Sequence, residues 1–121
     1  MVSHIDRISV QTKVWLERHG KPVFGIGKLG LFKAIKMEGS ISKASKKMNI
    51  SFRRAWNLLN STEKNFGIPL LEKYKGGKGG GSSGLTKEAE ELVSKFEMLS
   101  TEVKAFAERR FKEIFISSIG E

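Results

Sequence analysis

The first thirty residues combine an alternating segment with a turn-rich one. Residues 9–18 alternate in character, with one side of the pattern formed by Val10, Thr12, Val14 and Leu16. A period of two residues is typical of a half-buried strand. Residues 19–30 contain four glycines and Pro22, which favours a turn or loop ahead of the first helix.

The spacing of apolar residues predicts a first helix from about residue 27 to Glu38. Leu29, Phe32 and Ile35 recur every three positions and form a mostly apolar stripe. Gly39 follows directly, and glycine is the commonest residue just past the C-terminus of a helix. We therefore expect this helix to end there.

Two further helices joined by a tight turn are predicted over about residues 41–66. Ser40 can cap the shorter helix and Ser51 the longer one. Asn49 lies between them and tolerates the left-handed conformation that a sharp turn requires. Two capped helices in this arrangement form a helix-turn-helix.

A short strand and a glycine-rich loop follow, over about residues 70–86. Six of the ten residues from 75 to 84 are glycine, so the loop cannot pack a core and its backbone can approach a ligand closely. Lys75 and Lys78 make the loop cationic, as in a wing that touches phosphate. The alternative is a plain flexible linker, which Gly/Ser composition alone also fits.

The remaining pattern predicts a long helix over residues 86–116, followed by a tail at 117–121. Its apolar residues alternate in spacing between four and three positions, at Leu85, Ala89, Leu92, Phe96, Leu99, Val103 and Phe106. This heptad seam indicates a helix–helix contact, and a helix of roughly 45 Å is longer than a domain of this size covers alone. We therefore predict dimerisation through Leu92, Phe96, Leu99, Val103 and Phe106. The alternative is that the first half of the helix packs on its own domain.

Composition adds a strong charge asymmetry. The 121 residues include 22 basic and 13 acidic side chains, a net charge of +9. Residues 1–85 hold 16 of the basic and 5 of the acidic ones, whereas residues 86–121 hold 6 and 8. A concentrated positive field favours a polyanion, either nucleic acid or an anionic membrane surface. The lack of a long apolar run, a secretory leader or a lipidation motif favours nucleic acid, a cytoplasmic location and no membrane contact.

Residues for catalysis or cofactor binding are sparse. The chain has no cysteine, and His4 and His19 lie apart from any carboxylate cluster, so we expect no metal, no cofactor and no enzymatic activity. Glycines 25, 27 and 30 match the G-x-G-x-x-G dinucleotide pattern. That pattern requires a βαβ unit and an acidic residue about twenty positions later, where this chain is rich in lysine. A turn is the better interpretation.

The candidate DNA contacts cluster in a predicted DNA-binding domain over residues 1–85, where no acidic residue lies between Glu38 and Glu63. A recognition helix presents its N-terminal residues to base edges, so we predict base contacts by Ser51, Arg53, Arg54 and Asn57. Phosphate contacts are predicted for Lys43, Lys46, Lys47, Lys75 and Lys78. The alternative is an ordinary solvated basic face. Trp56 is expected in the core rather than at a base.

Four short motifs resemble the N-terminal domain of the molybdate-dependent regulator (ModE) family. They are Gly-Ser-Ile-Ser-x-Ala-Ser at 39–45, Ser-aromatic-x-x-Ala-Trp at 51–56, Gly-Gly-Lys-Gly-Gly-Gly at 76–81 and Leu-Thr at 85–86. The resemblance covers about residues 10–110. LysR-type regulators share the helix arrangement but are less similar at the wing.

The resemblance implies a mainly α fold with a small β component, namely a winged helix-turn-helix with a long C-terminal dimerisation helix. It also implies a homodimeric, sequence-specific transcription regulator that binds palindromic operator DNA and controls genes of molybdate or other oxyanion metabolism. Since the chain ends at Glu121, we expect it to lack the molybdate-binding domain.

Such a stand-alone member is either constitutive, responsive to another signal, or controlled by a separate effector-binding protein. The docking surface for that protein is expected at Ile114, Phe115, Ile116 and Ile119. A protein-interaction module, a non-specific nucleic-acid-binding module and a binder of structured RNA are the alternative functions.

Overall fold

The computed structural model describes residues 2–73 and 83–117. The chain forms two compact units, one over Trp15–Lys95 and the other combining the segment up to Val14 with the chain from Phe96 onward. The second unit includes a short 3₁₀ helix, Val2–Arg7. The sequence pattern does not predict this helix, because six residues are too few to show a periodicity.

The first unit begins with a β-hairpin, in which β1 (Leu16–Arg18) pairs antiparallel with β2 (Lys21–Phe24). The two residues between them, His19 and Gly20, have φ values of 53° and 77°. Two successive positive φ angles are typical of the tightest hairpin turns, whose twist matches that of the flanking strands. The segment predicted as a turn therefore also contains a strand.

The strand predicted over residues 9–18 is wrong for most of its length. Only its last three residues pair, with Leu16 opposite Phe24 and a register shift directly after Leu16. Alternation shows that a segment fits a half-buried strand, but it supplies no partner for the backbone N–H and C=O groups. The partner strand has four residues, so residues 9–14 have no strand beside them within the described range.

Three helices follow as the sequence predicts: α1 (Ile26–Glu38), α2 (Ile41–Met48) and α3 (Phe52–Phe66). Gly39, Asn49 and Gly67 occupy the positions just past their C-termini, with φ values of 80°, 58° and 67°. This left-handed conformation allows the terminal N–H to bond back to the last turn. The predicted helix-turn-helix is confirmed, including the left-handed turn at Asn49.

A second small sheet follows α3. Strand β3 (Leu71–Lys73) pairs antiparallel with β4 (Ser83–Leu85), with Leu71 opposite Leu85. Helix α4 (Lys87–Phe111) comes next and continues into a π-helical segment, Lys112–Ser117. The predicted long helix is confirmed. No helix in the described ranges is long and apolar enough to cross a membrane.

The core of the first unit is built where the hairpin meets the helices. Phe24 makes edge-to-face contacts with Phe32 and Phe66, at ring-centroid distances of 5.5 and 6.3 Å. The other fully buried large side chains are Leu31, Ile35, Leu59, Leu70 and Thr62. Trp56, predicted in the core, is half-buried. Buried aromatic and aliphatic packing of this kind supplies most of the stability that holds α3 in place.

Glycine 30 lies where α1 approaches α2. A Cβ atom built at Gly30 would lie 3.1 Å from the terminal methyl group of Met48, so the absence of a side chain allows the close approach. This glycine belongs to the dinucleotide-like pattern noted in the sequence. Its role here is helix packing, and residues 2–73 and 83–117 contain no βαβ unit of the kind that the pattern requires.

Hydrogen bonds that involve the side chains of Thr86 and Glu63 fix the base of the wing. The Thr86 hydroxyl donates to the Pro69 carbonyl (2.7 Å) and accepts from the Ala89 N–H (3.0 Å), which caps α4. A carboxylate oxygen of Glu63 accepts from the Leu70 N–H (2.8 Å). Both strands of the wing are therefore tied to the helices beside them.

Candidate nucleic-acid interface

The N-terminus of α3 is exposed and carries the predicted base-contacting residues. Ser51 precedes the helix, and its hydroxyl accepts a hydrogen bond from the Arg54 N–H at 3.0 Å. Capping fixes the direction of the first turn. The side chains of Arg53, Arg54 and Asn57 then emerge on the surface, where planar donors suit base edges.

These four residues line one surface hollow of about 460 Å³, together with Leu58 and Ser61. The fold thus brings together the four residues predicted to read bases. Their grouping on one surface was expected from their spacing in the sequence alone. The site prediction does not include Ser61, although it lies seven residues after Arg54 and hence on the same helix face. Its hydroxyl donates to the Leu58 carbonyl at 3.0 Å.

Phe52, the first residue of α3, is also absent from the site prediction. Its side chain is 53% exposed, although aromatic residues tend to be buried. Apolar groups on a recognition helix can contact the methyl group of thymine. Its position directly after the cap Ser51 could have identified it, because that position faces outward at the start of the helix.

The cations of α2 differ in their surroundings. Lys43, Lys46 and Lys47 are all exposed, but the Lys47 ammonium lies 3.5 Å from a carboxylate oxygen of Glu38. Within residues 2–73 and 83–117, no carboxylate pairs with Lys43, Lys46, Arg53 or Arg54. The cations of α2 and α3 that are not neutralised by a carboxylate can attract phosphate most strongly.

Three other cations are engaged within the fold. Arg18 donates to the Asn65 carbonyl at 2.8 Å, near the C-terminus of α3. Lys36 donates to Glu90 at 2.8 Å, and this hydrogen bond together with the carboxylate charge raises the pKa of Lys36. Lys28 donates to the Val23 carbonyl at 2.9 Å, and burial lowers the pKa of Lys28. These interactions support the fold.

Two predicted phosphate contacts, Lys75 and Lys78, lie outside the described residues. The strands on either side of them are described and form the antiparallel pair of the wing. Among the residues that the structure describes, no group of three His, Cys, Asp or Glu side chains could hold a metal ion.

The predicted dimerisation residues on α4 fall into two groups. Phe96 is 4% exposed and is thus covered within the chain itself. Leu99 and Phe106 are 44% and 57% exposed, while Leu92 and Val103 are half-buried. Phe96 therefore packs within the chain. The apolar side chains of the seam that remain exposed, Leu99 and Phe106, lie further along α4.

Comparison with known proteins defines the class. Residues 26–90 match the family model described as bacterial regulatory helix-turn-helix protein, lysR family. This match spans α1, α2, α3 and both strands of the wing. The chain belongs to this family of regulators, which is not a family of enzymes.

Curated relatives place the chain more closely beside ModE. It is 40% identical over 77 residues to the transcriptional regulator ModE of Haemophilus influenzae, covering 63% of this chain and 30% of that protein. It is 35% identical over 80 residues to the DNA-binding transcriptional dual regulator ModE of Escherichia coli, covering 65% and 30%. The chain thus matches about a third of the length of these relatives, and the predicted resemblance to ModE-type regulators is confirmed.

Solved structures show the same fold. The DNA-binding domain of BenM in complex with benA site 1 DNA has a TM-score of 0.51 and 24% identity, covering 74% of this chain and 94% of that one. The DNA-binding domain of CbnR in complex with DNA has a TM-score of 0.51 and 19% identity, covering 69% and 90%. These similarities confirm the predicted winged helix-turn-helix architecture.

Proposed function

We propose that the chain is a sequence-specific, double-stranded DNA-binding transcription regulator of the ModE type that works in the cytoplasm. The observation that carries the proposal is the composition of the hollow at the start of α3. Arg53, Arg54 and Asn57 line it together, all are exposed, and no described carboxylate pairs with either arginine. This surface offers donors to base edges without repelling phosphate.

Base reading and phosphate binding are assigned to different residues. Ser51, Arg53, Arg54 and Asn57 enter the major groove, and the Phe52 ring contacts a thymine methyl group. Phosphate is bound by Lys43, Lys46 and Lys47, with Lys75 and Lys78 of the wing. Lys47 contributes less than the other two cations of α2, because Glu38 lies 3.5 Å from its ammonium group.

Dimerisation is proposed through the exposed apolar side chains of α4. Leu99 and Phe106 expose 44% and 57% of their surface, and they lie seven residues apart, so they occupy equivalent heptad positions. A two-fold dimer presents two recognition helices related by symmetry. The operator is therefore an inverted repeat, with half-sites separated by about one helical turn of DNA.

The signal is proposed to reach the regulator through its C-terminal segment. Ile114 and Phe115 are 51% and 48% exposed, and the Phe115 ring stacks on Phe111 at 5.0 Å. Ile116 is half-buried, and Ile119 lies outside the described residues. A separate effector-binding protein docks on this apolar segment. The similarity to ModE supports a role in molybdate-related regulation.

The experiment is selection from a random duplex library with the full chain at near-physiological salt, with and without molybdate. We expect an enriched inverted repeat, because two α3 helices read symmetric half-sites. Repeating the binding measurement over a range of salt concentrations should give a slope of log affinity against log salt of roughly −5 to −9, for six to ten phosphate contacts per dimer. A slope near −1, or no enriched sequence, would contradict the proposal.

A further inference from the structure

An apolar cavity of about 340 Å³ lies beside the recognition helix, and of its lining residues only Arg54 and Leu58 also line the hollow at the start of α3. Its wall includes residues of the β1–β2 hairpin, the first turns of α1, the end of α2 and the middle of α3. Its apolar lining residues include Trp15, Val23, Phe24, Leu31, Ile50 and Leu58. Its volume lies in the range of small-molecule pockets, roughly 300–1,000 Å³.

The charged groups in this wall are both positive. Lys28 and Arg54 line the cavity, and no carboxylate of the residues that the structure describes lines it. The Lys28 ammonium donates one hydrogen bond, to the Val23 carbonyl at 2.9 Å. An ammonium group carries three N–H donors, so two remain for a ligand. Because burial lowers the pKa of Lys28, an anion beside it would offset part of the cost of desolvating the charge.

Arg54 connects this cavity to the DNA-reading surface. Its side chain and that of Leu58 line both the cavity and the hollow formed by Ser51, Arg53 and Asn57. One guanidinium group cannot make full bidentate contacts on both sides at once. An anion held in the cavity would therefore compete with DNA for Arg54.

We propose that this cavity binds a small aromatic carboxylate, and that binding weakens the interaction with DNA. The ring packs against Trp15, whose side chain is 47% exposed, since aromatic pairs are favourable at such contacts. The carboxylate binds Lys28 and Arg54. An inorganic oxyanion has no apolar surface to bury and fits this wall poorly. The effect on DNA rests on the proposed function, whereas binding in the cavity does not.

The cavity is tested without DNA, by calorimetric titration of the full chain with 2-naphthoate and with its neutral analogue 2-naphthamide. We expect naphthoate to bind at least about 10-fold more tightly, because charge-assisted hydrogen bonds distinguish the two compounds. Equal affinity, or no binding of naphthoate, would overturn the proposal. This comparison uses the unmodified protein, so it tests binding in the cavity even if a variant fails to fold.

Variants locate the binding site. Lys28→Met keeps the apolar stem and removes the charge, and should weaken naphthoate binding at least about 10-fold. The matched control is Lys21→Met on β2, which lies outside the cavity wall and should leave binding unchanged. Gly27→Phe should abolish binding, because a Cβ atom at Gly27 starts in open space at the cavity wall. Unchanged binding in both Lys28→Met and Gly27→Phe would overturn the assignment.

The effect on DNA is measured by fluorescence anisotropy with the duplex obtained from the selection. Saturating 2-naphthoate should lower the affinity at least about fivefold, a typical allosteric coupling, and 2-naphthamide should not. Naphthoate binding with unchanged DNA affinity would overturn the competition for Arg54. If the protein selects no duplex at all, the proposed function is refuted. The titration without DNA still tests whether the cavity binds naphthoate.

Discussion

Replacing Thr86 with valine tests whether one hydroxyl group holds the base of the wing. Thr86 is 7% exposed, and its hydroxyl both donates to the Pro69 carbonyl and accepts from the Ala89 N–H. Valine has nearly the same shape but can make neither hydrogen bond. The substitution therefore removes the cap of α4 and leaves the Pro69 carbonyl without this donor.

The magnitude follows from these two losses. Removal of a helix N-cap costs about 0.5–2 kcal/mol, and loss of a typical hydrogen bond, here to the carbonyl of the exposed Pro69, costs about 0.5–1.5 kcal/mol. Allowing for overlap, we expect Thr86→Val to lower the free energy of unfolding by about 1–3 kcal/mol. Urea denaturation followed by far-UV circular dichroism should show a midpoint lower by about 0.5–1.5 M, for slopes of about 1–3 kcal/mol/M.

The matched control is Thr86→Ser, which keeps the hydroxyl and loses one methyl group. It should cost about 1 kcal/mol or less. Both variants must be compared at one protein concentration, because the proposed dimerisation would make the apparent stability depend on concentration. Equal midpoints for the serine and valine variants would refute the reasoning, since the hydroxyl would then contribute nothing measurable.

Three further predictions concern the turn, the DNA surface and the dimer. Asn49→Val should lower the free energy of unfolding by about 1–2 kcal/mol, because a β-branched residue strains a left-handed position at φ 58°. Asn49→Gly should change it little. Equal melting temperatures for the two variants would contradict this prediction. Arg54→Ala should reduce the preference for the selected duplex over a scrambled one by about 1–3 kcal/mol, measured by anisotropy. Lys46→Ala should weaken binding to both duplexes alike. An equal loss of preference for the selected duplex in the Arg54 and Lys46 variants would refute the division between base reading and phosphate binding. Phe106→Glu should shift the chain from dimer to monomer in sedimentation equilibrium. Met98→Glu, at a residue that is 61% exposed, is the control and should remain dimeric. A dimeric Phe106→Glu variant would exclude dimerisation through the Leu99–Phe106 seam.

The helix-turn-helix could be predicted because its signals are local. Ser51, Asn49 and Gly67 act on the backbone within one turn of their own positions, so their effects are the same wherever the helix lies in the fold. The motifs shared with ModE add the order of the helices and the wing. The candidate site could be predicted for the same reason, because Arg53 and Asn57 lie on one surface once the helix is known.

The errors arose where a residue depends on a partner distant in sequence. Residues 9–14 alternate like a strand, but a strand forms only where another backbone pairs with it, and β2 pairs with three residues of β1. The sequence also gave no sign that Phe52, although apolar, is exposed, because this depends on what packs over the start of α3. The dimerisation prediction for Phe96 rests on its spacing, and only the fold shows that this side chain is 4% exposed.

The sequence by itself determined α1, α2 and α3, their ends and the basic surface, because these follow from contacts within a few residues and from total charge, and its motifs indicated the class of regulator through their resemblance to ModE. Only the tertiary structure decided which cations form hydrogen bonds within the fold. Arg18 and Lys28 look like Arg54 in the sequence, but the fold directs the first two to backbone carbonyls. It also created the cavity beside α3, because its wall draws on residues from 15 to 58 that meet only when the hairpin packs on the helices.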